Sequence, residues 1–436
     1  MQVLNRIRPP ITRAELPLAL AMFCYFFLVI TCFWILKPIK KGMFIQFYDQ
    51  DGFTLLGTHF SASQAELLAK VLNMGVAFLA VVVFTVLSHS LRRQRLSYAF
   101  SGFFLLCFGL FGVWLVQPAG PAVWSFYLFG DLFSTLMVAT FFAFLNDSVT
   151  PDLAKRMYGL VGLGGVCGGV FGASFVSARV ALFPMQTWLA ICAGLTVVIA
   201  LAAWYAGRRV MVPPEPSGPS EPDAVAGNPA TEGARLVFSS TYLLSIVAIV
   251  GLYEIISTIL DFQFTYTVAH FLDGPAIGQH FALVFTITNW VSLLVQLFLT
   301  GFVMSRFGVG IALLVLPVTI AMGSSAFLVF PVLWAGSLLN TADNGFSYSI
   351  NQSAKEALYV PTSAAVKYRA KAFIDMFIQR LAKALAVVIS LGITFAFQDF
   401  SSLRYLSLIT LVLLVVWFFA ARYAGRQFQQ MERDNN

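Results

Sequence analysis

Apolar runs of about 20 residues, each long enough to cross a bilayer as a helix, recur along this 436-residue chain. They begin near Leu18, Gln64, Ser97, Val123, Leu160, Met185, Tyr242, Phe281, Ile311, Pro331, Ile374 and Leu406. A membrane barrel would need segments of about ten residues alternating apolar and polar, and these unbroken runs do not alternate. With 59% hydrophobic and 11% charged residues, a soluble fold would expose apolar patches that soluble proteins do not tolerate. The pattern predicts an all-α membrane protein with about twelve transmembrane helices. The first run starts after Arg13 and extends well past the short apolar core of a signal peptide, so it is expected to be helix one.

Basic residues in short loops set the expected orientation. Arg6, Arg8 and Arg13 precede helix one, Arg92, Arg93 and Arg95 join helices two and three, and Lys155 and Arg156 follow helix four. Arg208, Arg209 and Arg235 flank the centre, Arg306, Lys367, Arg369 and Lys371 follow later helices, and Arg422 and Arg426 close the chain. All fall on one side, whereas the opposite loops hold Asp49, Asp51, Asp273 and Asp399 with only Arg179 and Arg404 among the bases. Both termini are expected in the cytoplasm, with the protein multi-pass in a bacterial inner membrane. Topology then accounts for the net charge of +7, and no nucleic-acid partner is expected, since that requires a basic face on a folded soluble domain.

The long polar stretch around 212–234, rich in Pro, Gly, Ser and acid, cannot bury enough apolar surface to fold. The expected organisation is a bundle over 1–210, a flexible cytoplasmic linker over 211–235 and a second bundle over 236–436, each of about six helices. Phe141, Leu145, Asn146 and Ser148 recur in the same spacing as Phe346, Ile350, Asn351 and Ser353. Parallel repeats of this kind mark the two halves of a major-facilitator architecture, and the loop Gly301 to Gly308 is similar to one found in that superfamily.

Charged residues inside apolar runs are functional candidates, because a charge near the bilayer centre costs roughly 2.5–3.5 kcal/mol. Lys37, Lys40 and Lys41 stand at i, i+3 and i+4 on one helical face and suit phosphate, with Pro38 as a break in the helix. The competing reading ends helix one there and sends the lysines to the interface. Glu66 and Lys70, one turn apart, either neutralise each other or exchange partners between states. Asp261 is open to pairing with Lys37 or Lys41, to carrying a coupling proton, or to a structural pair. Asn340, Asp343 and Asn344 give helix ten a polar, cavity-lining face. Lys355 and Glu356 are expected at an inner rim or gate, and Asp375 and Arg380, with Lys367 and Lys371, in an interdomain salt-bridge network.

The segment holding Lys355, Glu356, Tyr359, Pro361, Lys371, Ala372, Ile374, Asp375, Arg380, Leu381 and Lys383 resembles the ATP/ADP translocase, or NTP/NDP antiporter, family of plastids and intracellular bacteria. Asn146 to Gly165 resembles that family's helix-four-to-five junction, Glu66 and Lys70 its helix-two pair, and Leu260 to Phe264 its helix-seven signature. The resemblance implies a transporter of nucleotides or similar phosphorylated anions, with Asn146, Lys155, Arg156, Lys371, Asp375 and Arg380 in gating or interdomain roles. Two positions depart from it. Family members that exchange ATP and ADP carry Arg-x-x-Lys-Asp in helix one, where this chain has Lys37, Pro38, Ile39, Lys40, Lys41. A lysine often found after the helix-seven acid is replaced by Phe262, Gln263, Phe264 and Thr265. The alternative is a major-facilitator transporter of another organic anion or amphiphilic solute, with or without proton coupling.

Enzyme chemistry has no foothold. His59, His89, His270 and His280 form no H-E-x-x-H motif, and no G-x-S-x-G elbow occurs. Cys24, Cys32, Cys107, Cys167 and Cys192 lack metal-ligand spacing. The glycine-rich run Gly159 to Gly172 lacks the ending of a phosphate loop and reads as close helix packing. Neither cofactor nor metal is expected; the expected partners are a small anionic substrate, a nucleotide in the favoured reading, and the lipid bilayer, around a monomer.

Overall fold

The computed structural model describes residues 12–13, 15–91, 93–149, 151–210, 229–362, 370–371, 373–397, 399–400 and 402–434. Helices α1 (Leu16–Tyr48), α2 (Ala62–Ser90), α3 (Arg93–Trp114), α4 (Gly120–Ser148), α5 (Pro151–Arg179) and α6 (Met185–Gly207) come first. A short α7 (Pro229–Phe238) precedes α8 (Thr241–Phe271), α9 (Pro275–Leu294), α10 (Gly301–Val329), α11 (Leu333–Phe346), α12 (Gln352–Ala357), α13 (Gln379–Ala396) and α14 (Ser402–Asp434). Of the expected linker, 211–228 lies outside the described residues and the remainder belongs to α7.

Among the described residues ten helices are long and apolar enough to cross a membrane, two fewer than expected from the sequence. One reason is the continuous run Pro275–Val329 of 55 residues. At 1.5 Å per residue it would extend about 80 Å, more than twice a hydrocarbon core. Gly308 interrupts it at φ 80°, ψ 172°, a conformation open to glycine and costly for other residues. The other reason is α11 to α12, where Asn340, Asp343 and Asn344 interrupt the apolar run.

One element has no counterpart in the all-α expectation. Phe53–Leu55 and Thr58–Phe60 pair antiparallel, with Phe53 opposite Phe60 and Leu55 opposite Thr58. Leu56 and Gly57 both take positive φ, 50° and 80°, as a two-residue turn that matches strand twist requires. This hairpin of six paired residues leaves the class all-α.

The chain divides into two compact units. The first comprises Met1–Phe47, Leu72–Glu221 and Gly278–Thr286, and the second comprises Tyr48–Val71, Pro222–Ile277 and Ile287–Asn436. The first has an aromatic core in which Phe104, Phe108, Phe126, Phe133 and Phe141 are fully buried. Its α5 lies close along α1: a Cβ on Gly164 would stand 2.9 Å from the Phe23 carbonyl oxygen and one on Gly172 2.6 Å from that of Thr31. Gly159 and Gly162 have open space instead, so the glycine run serves close packing only from Gly164 onward. The second unit is filled by branched aliphatics, among them Ile246, Ile249, Ile256 and Ile259, with Trp417 from α14.

Candidate functional site

Each unit contains its own cluster of charge. In the first unit α1 continues through the three lysines to Tyr48, with Pro38 inside the helix, so the trio does not end the helix. Lys40 and Lys41 are 5% exposed. Such burial requires partners, and α4 and α9 supply them. The Lys40 ammonium ion-pairs with Asp131 of α4, donates to the Tyr127 carbonyl oxygen at 3.3 Å and stands 4.4 Å from the Tyr127 ring centroid. Asn73 Nδ2 donates to the other side of the same pair, reaching Asp131 Oδ2 at 2.8 Å. Gly130 makes room for the lysine stem, since a Cβ there would fall 2.6 Å from Lys40 Cδ.

Lys37 and Lys41, one turn apart, face α9. The Lys37 ammonium lies 4.5 Å from the Trp34 ring and 5.1 Å from Phe285, and that of Lys41 lies 5.3 Å from Phe281. Phe281 and Phe285 are themselves one turn apart and stacked, with centroids at 6.2 Å. Aromatic faces hold a cation at about 0.5–2 kcal/mol without neutralising it. The approach is tight: a Cβ on Gly42 would stand 2.9 Å from Gly278 Cα.

The cluster of the second unit gathers acids. Lys70 of α2 ion-pairs with Asp261 of α8 and lies 3.2 Å from Glu66 Oε2, so one base serves two acids. Ser257 Oγ donates to Asp343 Oδ2 at 2.6 Å, and Asn344 Nδ2 donates to the Asn340 carbonyl oxygen at 3.0 Å. After Phe346 the chain passes into a π-helical turn, Ser347–Asn351, a local widening frequent at functional sites.

The remaining candidates disperse. Lys355 lies 4.9 Å from the Tyr253 ring, and Lys371 bonds both Glu356 oxygens, at 2.8 and 2.6 Å. These residues with Gln352, Tyr359 and Asp375 line a cleft of about 290 Å³. Asp375 accepts from Gln379 at 3.0 Å, while Lys367 lies outside the described residues. Among the described residues Arg380 forms no ion pair with Asp375 or any other acid; Lys383 instead reaches Glu254 at 3.4 Å. In the first unit Asn146 accepts from the Tyr158 hydroxyl, and Arg156 makes a two-pronged contact with Glu15 at 3.0 and 2.7 Å. The Lys155 side chain lies outside those described. A groove of about 620 Å³ between the start of α1 and the end of α6 is apolar except for Arg13 and is distinct from both charge clusters.

Sequence reasoning missed Asp131, Asn73, Glu15, Glu254 and Ser257. Asp131 carried a usable signal, being an acid inside an otherwise apolar α4; Glu15 carried another, as Thr12-x-x-Glu15 is a capping box. Thr12 N donates to Glu15 Oε2 at 2.8 Å. That amide first, and then the Arg156 guanidinium, hold the Glu15 carboxyl below its ordinary range.

The family model described as TLC ATP/ADP transporter matches residues 2–123, 114–337 and 328–428. The chain is 23% identical over 96% of its length to ADP,ATP carrier protein 1, chloroplastic, of Arabidopsis thaliana, covering 74% of that protein. It is 24% identical to ADP,ATP carrier protein 1 of Chlamydia muridarum, over 96% of this chain and 90% of that one. Among solved structures, the nucleoside transporter NupG superposes with a TM-score of 0.61 at 15% identity, over 95% of this chain and 99% of that one. The major facilitator superfamily transporter FucP, in the outward conformation, superposes with a TM-score of 0.51 at 16% identity, over 93% and 98%. The fold is that of the major facilitator superfamily, in a multi-pass integral membrane protein.

Proposed function

The chain belongs to the TLC ATP/ADP transporter family, and from that premise we propose that it is a secondary transporter exchanging nucleotides, ATP against ADP or a related phosphorylated anion, by alternating access. The observation that carries this reading is the gathering of three lysines on one face of α1, where Lys37, Lys40 and Lys41 stand with Asp131 against an aromatic wall. A di- or triphosphate is a suitable counter-charge, since lysine offers a compact point charge with three donors. In this reading Lys37 and Lys41 take the phosphates and Lys40 is held in register by Asp131. Asn340 and Asn344 line the path. The Glu66–Lys70–Asp261 cluster exchanges partners between states, and Lys355 and Glu356 form the inner rim. Asn146, Arg156, Lys371, Asp375 and Arg380 belong to the gates, residues 1–210 and 236–436 to the two bundles. The protein works as a monomer in a bacterial inner membrane with both termini cytoplasmic, which the distribution of basic loops favours, and it is not an enzyme.

Proteoliposomes preloaded with ADP should take up labelled ATP or ADP at least several-fold faster than empty ones. Uptake indifferent to internal nucleotide, and not competed by unlabelled ATP, would sink nucleotide exchange. The departure at Lys40–Lys41 from the family's helix-one motif favours one other reading, a different organic anion on the same fold, which would emerge in the same assay as competition by non-nucleotide organic phosphates.

A further inference from the structure

Two carboxylates among the described residues are wholly buried, Glu66 and Asp343, each 0% exposed. Glu66 has Lys70 beside it. Asp343 has the Ser257 hydroxyl on Oδ2, while its Oδ1 has no partner at all. Asn340, one turn earlier on the same face of α11, is 1% exposed, and both its amide atoms are also unpartnered. A bare carboxylate in such a place is too costly to persist without a cation or a proton.

The surroundings decide which. From α8 the titratable neighbours are Tyr253, Glu254 and Asp261, and from the π-helical turn Tyr348, while Lys383 of α13 acts on Tyr348 and Glu254. Asp261 is engaged by Lys70 and Glu254 by Lys383, so among the described residues no base pairs with Asp343. Helix α10, packed on α11, has Arg306 near its start as its one charged residue. A metal ion needs several converging oxygens, and no group of three or more His, Cys, Asp or Glu among the described residues could hold one.

We propose that Asp343 is a proton-carrying group, and that nucleotide movement through this chain is accompanied by a proton bound at its Oδ1. On the side where water reaches it, hydronium gives up a proton, an O–H bond forms at Oδ1 and water is left. On the other side that bond breaks, the electron pair stays on the carboxylate and water becomes hydronium. The π-helical turn that begins four residues on supplies the local looseness such a change of access needs.

The inference rests on the exchange reading for its transport arm, and its test separates the two. Wild-type and Asp343→Asn proteins, an isosteric pair, are reconstituted with internal ADP, and initial uptake of labelled ADP is compared with and without an inward gradient of one pH unit. One coupled proton allows up to about a tenfold ratio; the wild type should give several-fold and Asp343→Asn a ratio near one, whatever its absolute rate. A trapped pH dye should register proton entry on addition of ADP to the wild type only. Infrared spectra of the detergent-solubilised wild type without nucleotide should contain a protonated-carboxyl band that titrates with pH and is absent from Asp343→Asn. A wild-type ratio of one with brisk uptake overturns proton coupling and leaves exchange standing. If the wild type takes up no nucleotide, exchange fails, and the infrared titration alone then decides whether Asp343 carries an exchangeable proton; a band absent or indifferent to pH overturns it. Should Asp343→Asn not fold, the dye and infrared results on the wild type decide, with Ser257→Ala expected to shift the titration.

Discussion

The two units solve the problem of intramembrane charge in opposite ways. In the first, Lys40 pairs with Asp131, while the Lys37 and Lys41 ammonium groups lie against Trp34, Phe281 and Phe285. In the second, Lys70 serves both Glu66 and Asp261, and Asp343 has only a serine. Aromatic faces can hold an excess of cations because the ring quadrupole attracts without neutralising. A buried carboxylate has no such aromatic counterpart here, and Asp343 Oδ1 is without a partner, which is the basis for proposing that it carries a proton. In the proposed function the lysines of the first unit take the anion and the acids of the second compensate charge.

The largest effect that would break this comparison is expected at Lys70. Lys70→Ala leaves Glu66 wholly buried beside Asp261 with no base between them, and loss of one partner from a buried pair costs about 3–5 kcal/mol. Thermal unfolding in detergent should reveal a large loss, largely restored by adding Glu66→Gln and Asp261→Asn. A single variant as stable as wild type would mean that the two acids are not held apart by this lysine.

The next effect is on affinity. Lys37→Ala and Lys41→Ala should each weaken nucleotide binding by about 1.5–3 kcal/mol, the range for hydrogen bonds to charged groups, with stability changed by no more than the cation–π contribution. Titration calorimetry with ADP measures it. Gln at either position should rescue little, and unchanged affinity in both variants would detach these lysines from substrate binding.

Smaller still is the cost at the rim of the second unit. Lys371 and Glu356 are 34% and 46% exposed, so Glu356→Gln should change unfolding stability by at most about 1 kcal/mol. A larger loss would mean that the pair is held more strongly in this state than a solvated ion pair.

The smallest effect lies at the Thr12–Glu15–Arg156 clamp. Glu15 is held below its ordinary range. The clamp is therefore fully present above the ordinary Glu value, roughly pH 4.3, and is lost as pH falls through the lower folded value. Amide exchange in the first turn of α1 should rise on acidification through that window, and Arg156→Gln should flatten the response.

Local composition is read well from the chain, and relations between distant residues are not. The run starting near Met185 is α6, and those near Tyr242 and Gln64 begin within two residues of α8 and α2, because burial in lipid depends on the summed hydropathy of neighbours. The Lys37–Lys41 trio was visible for the same reason. Asp131 as partner of Lys40 was not, nor was Asn73, 58 positions from Asp131, nor the Lys70–Asp261 pair across 191 positions. The hairpin between α1 and α2 was hidden in six residues too few for a periodic signal.

The amino-acid sequence by itself determined that this chain lives in a bilayer as helices, where most of those helices begin, and to which transporters it is related. Those properties are carried by contiguous residues, and each follows from transfer free energies that add along the chain. Only the tertiary structure decided which charges meet. An ion pair, a cation over a ring or a carboxylate left with one hydroxyl depends on approach within a few ångströms between segments whose separation along the chain carries no such information, and in a low-dielectric interior that approach determines whether a charge is neutralised, held ready for an anion or obliged to carry a proton.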